Sequence, residues 1–158
     1  MKSKKVISWI AVIIWMSVIF YLSAQPAASS NQLSKCVTEI IVEMIEKVTS
    51  INLEVNDINH FVRKNAHFIA YLILGGLVYN AIIFNVSGSN LIIIAGLICV
   101  GYAVSDEFHQ MFVPGRGPQL KDVFIDSGGA TVGILTYQLM VIKCQLPSKN
   151  VTKQKIIS

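Results

Sequence analysis

Two short segments hold most of the side chains in this chain suited to acid–base or ionic chemistry. One carries Arg63, Lys64, His67 and Tyr71; the other carries Asp106, Glu107, His109, Gln110, Arg116, Lys121, Asp122 and Asp126. Their types suit three kinds of site. In the first, Arg116 stands between two glycines, Gly115 and Gly117, with backbone N–H groups there expected to be free for a ligand. With Arg63 and Lys64 it would hold an anion such as a lipid phosphate or headgroup, lined by His67, Tyr71, Glu107, Gln110 and Asp126. In the second, a hydrolytic or transfer centre, His109 is the base, Asp106 or Asp122 orients it, and Arg116 stabilises developing charge. The third is a metal held by His67, His109 and a carboxylate. That one lacks ligand spacing, because Glu107 and His109 stand two apart and face different ways, so no metal and no cofactor is expected. A ligand-free alternative remains: Arg63, Lys64, Arg116 and Lys121 balance Asp106, Glu107, Asp122 and Asp126 as an ion-pair network that fixes helix register.

These residues need elements to bring them together, and the rest of the chain is built for that. At 158 residues, 53% hydrophobic and 14% charged, the chain is too apolar for an ordinary soluble domain and fits one compact membrane domain. Val6–Leu22 is an apolar run behind Lys2, Lys4 and Lys5. It is longer than a typical signal-peptide core of about 7–15 residues and carries Trp9 and Trp15, so it reads as a retained first helix. Gln25-Pro26 breaks that helix, and Ala27–Ser30 reads as a turn. From about Leu33 to Val48, Val37, Ile40, Ile41, Met44, Ile45 and Val48 recur at three- and four-residue steps with Glu39, Glu43, Glu46 and Lys47 between them. That pattern is a short amphipathic helix on the membrane surface or over the bundle. Thr49–Asn59 reads as a polar connector.

A second span is expected over about 66–84 and, after a tight turn at Asn85–Asn90, a third from Leu91. The apolar part of the third is shorter than the roughly 20 residues a bilayer needs. It is therefore read as continuing through Gln110, which carries Asp106, Glu107 and His109 to membrane depth. Val113-Pro114-Gly115-Arg116-Gly117-Pro118 is a turn, and about 122–142 is a fourth span. On these helices Lys64, His67 and Tyr71 share a face, as do Tyr102, Asp106 and His109, with Glu107 pointing about 100° away. Asp122, Asp126, Gly129 and Gly133 share another, and the two glycines permit close helix approach.

The net charge of +4 suggests nucleic acid only until the charges are placed. Lys2, Lys4 and Lys5 at one end and Lys143, Lys149, Lys153 and Lys155 at the other read as juxtamembrane anchors, so no nucleic-acid partner is expected. All nine acids lie between Gln25 and Asp126, in the two stretches that four spans place on one side. By the positive-inside rule both termini are then cytoplasmic and the acids lie outside, in the loop 25–63 and beside the polar cluster. A lone charge at mid-bilayer costs at least about 2.5–3.5 kcal/mol, so a cluster of ionisable residues in so short a chain is a site hypothesis in itself. Cys36, Cys99 and Cys144 fall at depths too different for bridging.

Four elements together resemble the VanZ-like family of small bacterial membrane proteins: Ser23-Ala24-Gln25-Pro26; Arg63-Lys64-Asn65-Ala66-His67-Phe68 through Tyr71; Ser105-Asp106-Glu107-Phe108-His109-Gln110 through Pro114-Gly115-Arg116; and Lys121-Asp122-Val123-Phe124-Ile125-Asp126 with Gly128, Gly129 and Gly133. The resemblance runs from about Val6 to Met140. Many members carry a glutamate just before the helix-two tyrosine, where this chain has Ala70. The resemblance implies a multi-pass protein of the bacterial cytoplasmic membrane, acting in the cell envelope and associated with teicoplanin and lipoglycopeptide resistance.

The expectation is therefore an all-α integral membrane four-helix bundle with cytoplasmic termini and an amphipathic extracytoplasmic helix. Residues 1–142 would form the membrane domain and 143–158 a basic cytoplasmic tail. The expected partner is a membrane lipid or lipid-linked envelope component, with catalysis left open.

Overall fold

The computed structural model of the chain describes residues 2–48, 55–84, 90–117 and 119–154. Every regular element among them is an α-helix: α1 (Lys2–Ser23), α2 (Ala27–Val48), α3 (Val55–Ile83), α4 (Leu91–Gln110) and α5 (Leu120–Gln154). Runs as rich in isoleucine and valine as these would suit strands in water. In hydrocarbon the backbone must satisfy its own hydrogen bonds, which a helix does within one segment. Helix α3 is the centre, packing against α1, α2, α4 and α5, while α4 also lies along α5.

The packing follows membrane rather than aqueous logic. On α4 the small residues Ala95, Cys99 and Ala103 are buried, and Ile93, Leu97, Val104 and Phe108 face outward. On α1, Val12 and Ile19 point in while Ile7, Ile10, Ile13 and Ile14 are exposed. Small residues at helix interfaces and large aliphatics outside are what lipid-solvated helices show. Among the described residues, three segments are long and apolar enough to cross a membrane: Ser3–Ser23, Phe61–Ile83 and Leu91–Gln110.

The expected fourth span is present as a helix, but among the described residues α5 does not meet the same standard of length and apolarity. Its composition explains this. Where α5 approaches α3 most closely it carries Gly129, Ala130 and Gly133, and the same side bears Asp126 and Tyr137, so its apolar content is diluted. A Cβ on Gly129 would lie 2.3 Å from the Phe68 carbonyl oxygen, and one on Gly133 1.9 Å from that of Leu72. From the other side, a Cβ on Gly75 would lie 2.2 Å from the Ala130 oxygen. The two backbones are in direct contact, as the Gly129–Gly133 spacing predicts.

Element boundaries differ from the expectation in three places, and two expected segments fall partly outside the described residues. Ala27–Ser30 is the first turn of α2 rather than a loop, since Pro26 ends one helix and suits the entry to the next. Helix α3 begins at Val55, so part of the expected connector 49–59 is helical; its residues 49–54 lie outside the description. Residues 85–89 of the expected turn at Asn85–Asn90 likewise lie outside it. Helix α5 runs on to Gln154, through most of the expected tail. The third span, by contrast, reaches Gln110 as expected.

Candidate functional site

Four helices bring polar residues to one end of the bundle. Ser23 closes α1; Arg63, Lys64, His67 and Tyr71 lie on α3; Asp106, Glu107 and Gln110 lie in the last two turns of α4; Asp122 and Asp126 lie in the first two turns of α5. The turn between α4 and α5 supplies Arg116. It is shaped by Gly115, whose φ of 76° suits glycine, and by the Ala27 N–H donating to the Pro114 carbonyl at 3.2 Å. Backbone contact between α3 and α5 at Phe68 and Gly129 sets His67 opposite Asp126.

The polar contacts are few and directional. Ser23 Oγ donates to Asp106 Oδ2 at 2.8 Å, both residues being buried. The Gln119 N–H donates to Glu107 Oε2 at 2.9 Å. Lys64 Nζ lies 3.8 Å from Asp122 Oδ1, and His67 Nδ1 lies 3.9 Å from Asp126 Oδ1. Arg63 Nη1 donates to Asn31 Oδ1 at 3.2 Å.

Among the described residues, several buried atoms have no hydrogen-bond partner: Tyr71 OH, Asp106 Oδ1, His109 Nε2, Gln110 Nε2, Arg116 Nε, and both carboxylate oxygens of Asp126. Asp126 is 0% exposed and Asp106 1%. Unmade hydrogen bonds of this kind cost roughly 1–3 kcal/mol each, and more for charged groups. Burial, reinforced by the Arg63 cation, pushes the Arg116 guanidinium below its ordinary pKa, against the opposing pull of Asp106 and Glu107.

Two cavities meet here. A polar one of about 80 Å³ is lined by Arg63, Lys64, His67, Gln110, Arg116, Asp122 and Asp126, with Gly115, Gly117, Gln119 and Ile125. An apolar groove of about 280 Å³ runs between α1, α2 and α3, past Ile19, Leu22, Val37, Val62, Ala66 and Ala70. Arg63, His67 and Arg116 border both. Ala70 thus presents a methyl group to the groove where a glutamate would place an acid.

The expected residues distribute unevenly. Arg63, Lys64, His67, Gln110, Arg116, Asp122 and Asp126 line the polar cavity, while Asp106, Glu107 and Tyr71 are buried around it. His109 does not line it; its ring stacks on Phe20 at 4.2 Å. Asp106 and His109 share a side of α4 as expected, meeting Ser23 and Phe20 of α1, but the buried set is Asp106, Glu107 and Gln110, so Glu107 turns inward as well. The Arg116 N–H, expected to be open to an anion, donates instead to the Val113 carbonyl at 3.1 Å. Lys121 is exposed at the rim.

Although no ligand spacing exists along the chain, three helices assemble one in space. His67, Asp106 and Asp126 offer one ligand atom each, all within 4.8 Å of one another. Two contributors are not among the expected site residues. Ser23 stands in the Ser23-Ala24-Gln25-Pro26 element, which is short and unspecific by itself, and Gln119 acts through its main chain.

The family model for VanZ/LLP1 matches residues 8–141, which takes in every residue of this cluster. No curated protein and no solved structure matches the chain.

Proposed function

Because the chain belongs to the VanZ/LLP1 family, we propose that it is a cell-envelope membrane protein whose outward-facing polar cavity binds an anionic envelope component. Binding would lower sensitivity to glycopeptide and lipoglycopeptide antibiotics. In this reading α5 crosses the membrane as a fourth span, both termini are cytoplasmic and α2 lies on the outer surface. The observation that carries the reading is Arg116. Its guanidinium is partly buried, its Nε has no hydrogen-bond partner among the described residues, and it borders the cavity beside Arg63 and Lys64.

A forked donor held this way suits a phosphate or carboxylate, and the adjoining apolar groove supports a lipid-linked ligand. A hydrolase or transferase using His109 has weaker support. Its ring is engaged with Phe20, and no hydrogen bond joins it to Asp106 or Asp122 among the described residues.

The test is teicoplanin susceptibility of a sensitive Gram-positive host expressing the wild type, Arg116→Lys, Arg116→Ala or His109→Ala, with membrane protein level measured in each. Protection by the wild type is expected to fall partly in Arg116→Lys, where a fork becomes a point charge, and wholly in Arg116→Ala, at equal abundance. Loss only in proportion to protein level would reduce the cluster to scaffolding. Full loss in His109→Ala with retention in Arg116→Lys would favour catalysis.

A further inference from the structure

We infer that His67, Asp106 and Asp126 form a binding site for one divalent transition-metal ion, of the Zn²⁺ or Mn²⁺ class, at the floor of the polar cavity. The donor set is one imidazole and two carboxylates drawn from α3, α4 and α5, with mutual distances within 4.8 Å. Nitrogen and oxygen donors without thiolate suit these ions rather than Cu(I). For metal–ligand bonds of about 2.0–2.2 Å, a tetrahedral site separates its ligand atoms by roughly 3.4 Å. The His67 Nδ1 to Asp126 Oδ1 distance of 3.9 Å is wider by an amount that small side-chain rotations close.

A second observation points to a ligand independently of this proximity. Both Asp126 oxygens and Asp106 Oδ1 lack hydrogen-bond partners among the described residues, on side chains 0% and 1% exposed. Two buried carboxylates side by side shed their charge either by sharing a proton or by binding a cation, which offsets desolvation and mutual repulsion. Lys64 pairs with Asp122 and Arg63 bonds Asn31, and Arg116, although close enough to feel Asp106, makes no ion pair with either carboxylate among the described residues.

Ser23 completes the arrangement. It holds Asp106 Oδ2, as the outer partners of metal ligands commonly do, while Oδ1 has no hydrogen-bond partner among the described residues. A divalent ion would neutralise the two carboxylates and leave Arg116 to face an anion. The site stands apart from the proposed anionic ligand, since ion binding is measured without it, and either reading can fail alone.

The test uses the full chain, free of any affinity tag, purified in detergent and stripped with chelator. ZnCl2 and, in parallel, MnCl2 are added alone and followed by calorimetry and thermal unfolding. One ion per chain with a raised Tm is expected for at least one metal, with affinity falling at least about tenfold in His67→Ala and in Asp126→Asn. A Cys36→Ser/Cys144→Ser variant, which removes the two exposed thiols, is expected to bind like the wild type. The inference is overturned if the folded wild type binds neither ion, if binding persists undiminished in both site variants, or if it vanishes with the two thiols. Should either site variant fail to fold, the wild type and the thiol variant decide the matter.

Discussion

Asp106 has two oxygens in different circumstances: Oδ2 receives the Ser23 hydroxyl at 2.8 Å, and Oδ1 receives nothing among the described residues. Removing the hydroxyl would orphan both atoms of a buried carboxylate. Ser23→Ala is therefore expected to lower stability by about 1–3 kcal/mol, while Ser23→Thr keeps the donor and stays near the wild type. Thermal unfolding of the two variants in detergent checks this, and equal Tm values would refute it. The same pair shows why residue-level reading runs out. A helical wheel gives the angle between Asp106 and Glu107 but not what surrounds each. Both are buried because the end of α4 is wrapped on two sides, by Ser23 and by the main chain at Gln119. By the same wrapping His109 lies against Phe20, away from the cavity.

Helix α5 sets the precision of the site through its contact with α3. Gly133→Ala would press a Cβ to within 1.9 Å of the Leu72 carbonyl oxygen, which is backbone and cannot swing aside. We expect it to cost at least the roughly 1–3 kcal/mol typical of overpacking. Gly96→Ala and Gly101→Ala, where nothing lies within 4 Å, are expected to leave Tm unchanged or raise stability by about 0.5–1 kcal/mol. Comparable losses at all three positions would mean that helix glycines matter here for some reason other than approach.

At this scale much was legible. The Gly129–Gly133 spacing announced a tight crossing, and the polar ending of the third apolar run led correctly to a helix through Gln110. The partner of the crossing was not legible, because spacing fixes one face of one helix and says nothing of which neighbour fills it. The start of α2 is not legible in the sequence for a related reason. Ala27–Ser30 has turn-like composition, yet the preceding Pro26 prepares helix entry as readily as it ends one.

For the molecule as a whole, three cysteines placed at different depths give a reading of topology. Cys36 on α2 and Cys144 on α5 are exposed, and Cys99 is buried within α4. If four spans hold, a membrane-impermeant thiol reagent added to intact cells, with the outer membrane or wall made permeable where needed, should label Cys36. Cys144 should label only after the cytoplasmic membrane is opened, and Cys99 only after denaturation. Labelling of Cys36 and Cys144 from the same side would place α5 on the surface and leave three crossings.

The main-chain contact between α3 and α5 also has an evolutionary reading. The gap between His67 and Asp126 is gauged by carbonyl oxygens resting on glycine, not by the bulk of any side chain. Ile93, Leu97, Val104 and Phe108 on the outer face of α4 touch no part of that gauge. Substitutions on that outer face, of the kind that would fit the chain to bilayers of different thickness and composition, are then expected to leave the spacing of its ionisable groups unchanged.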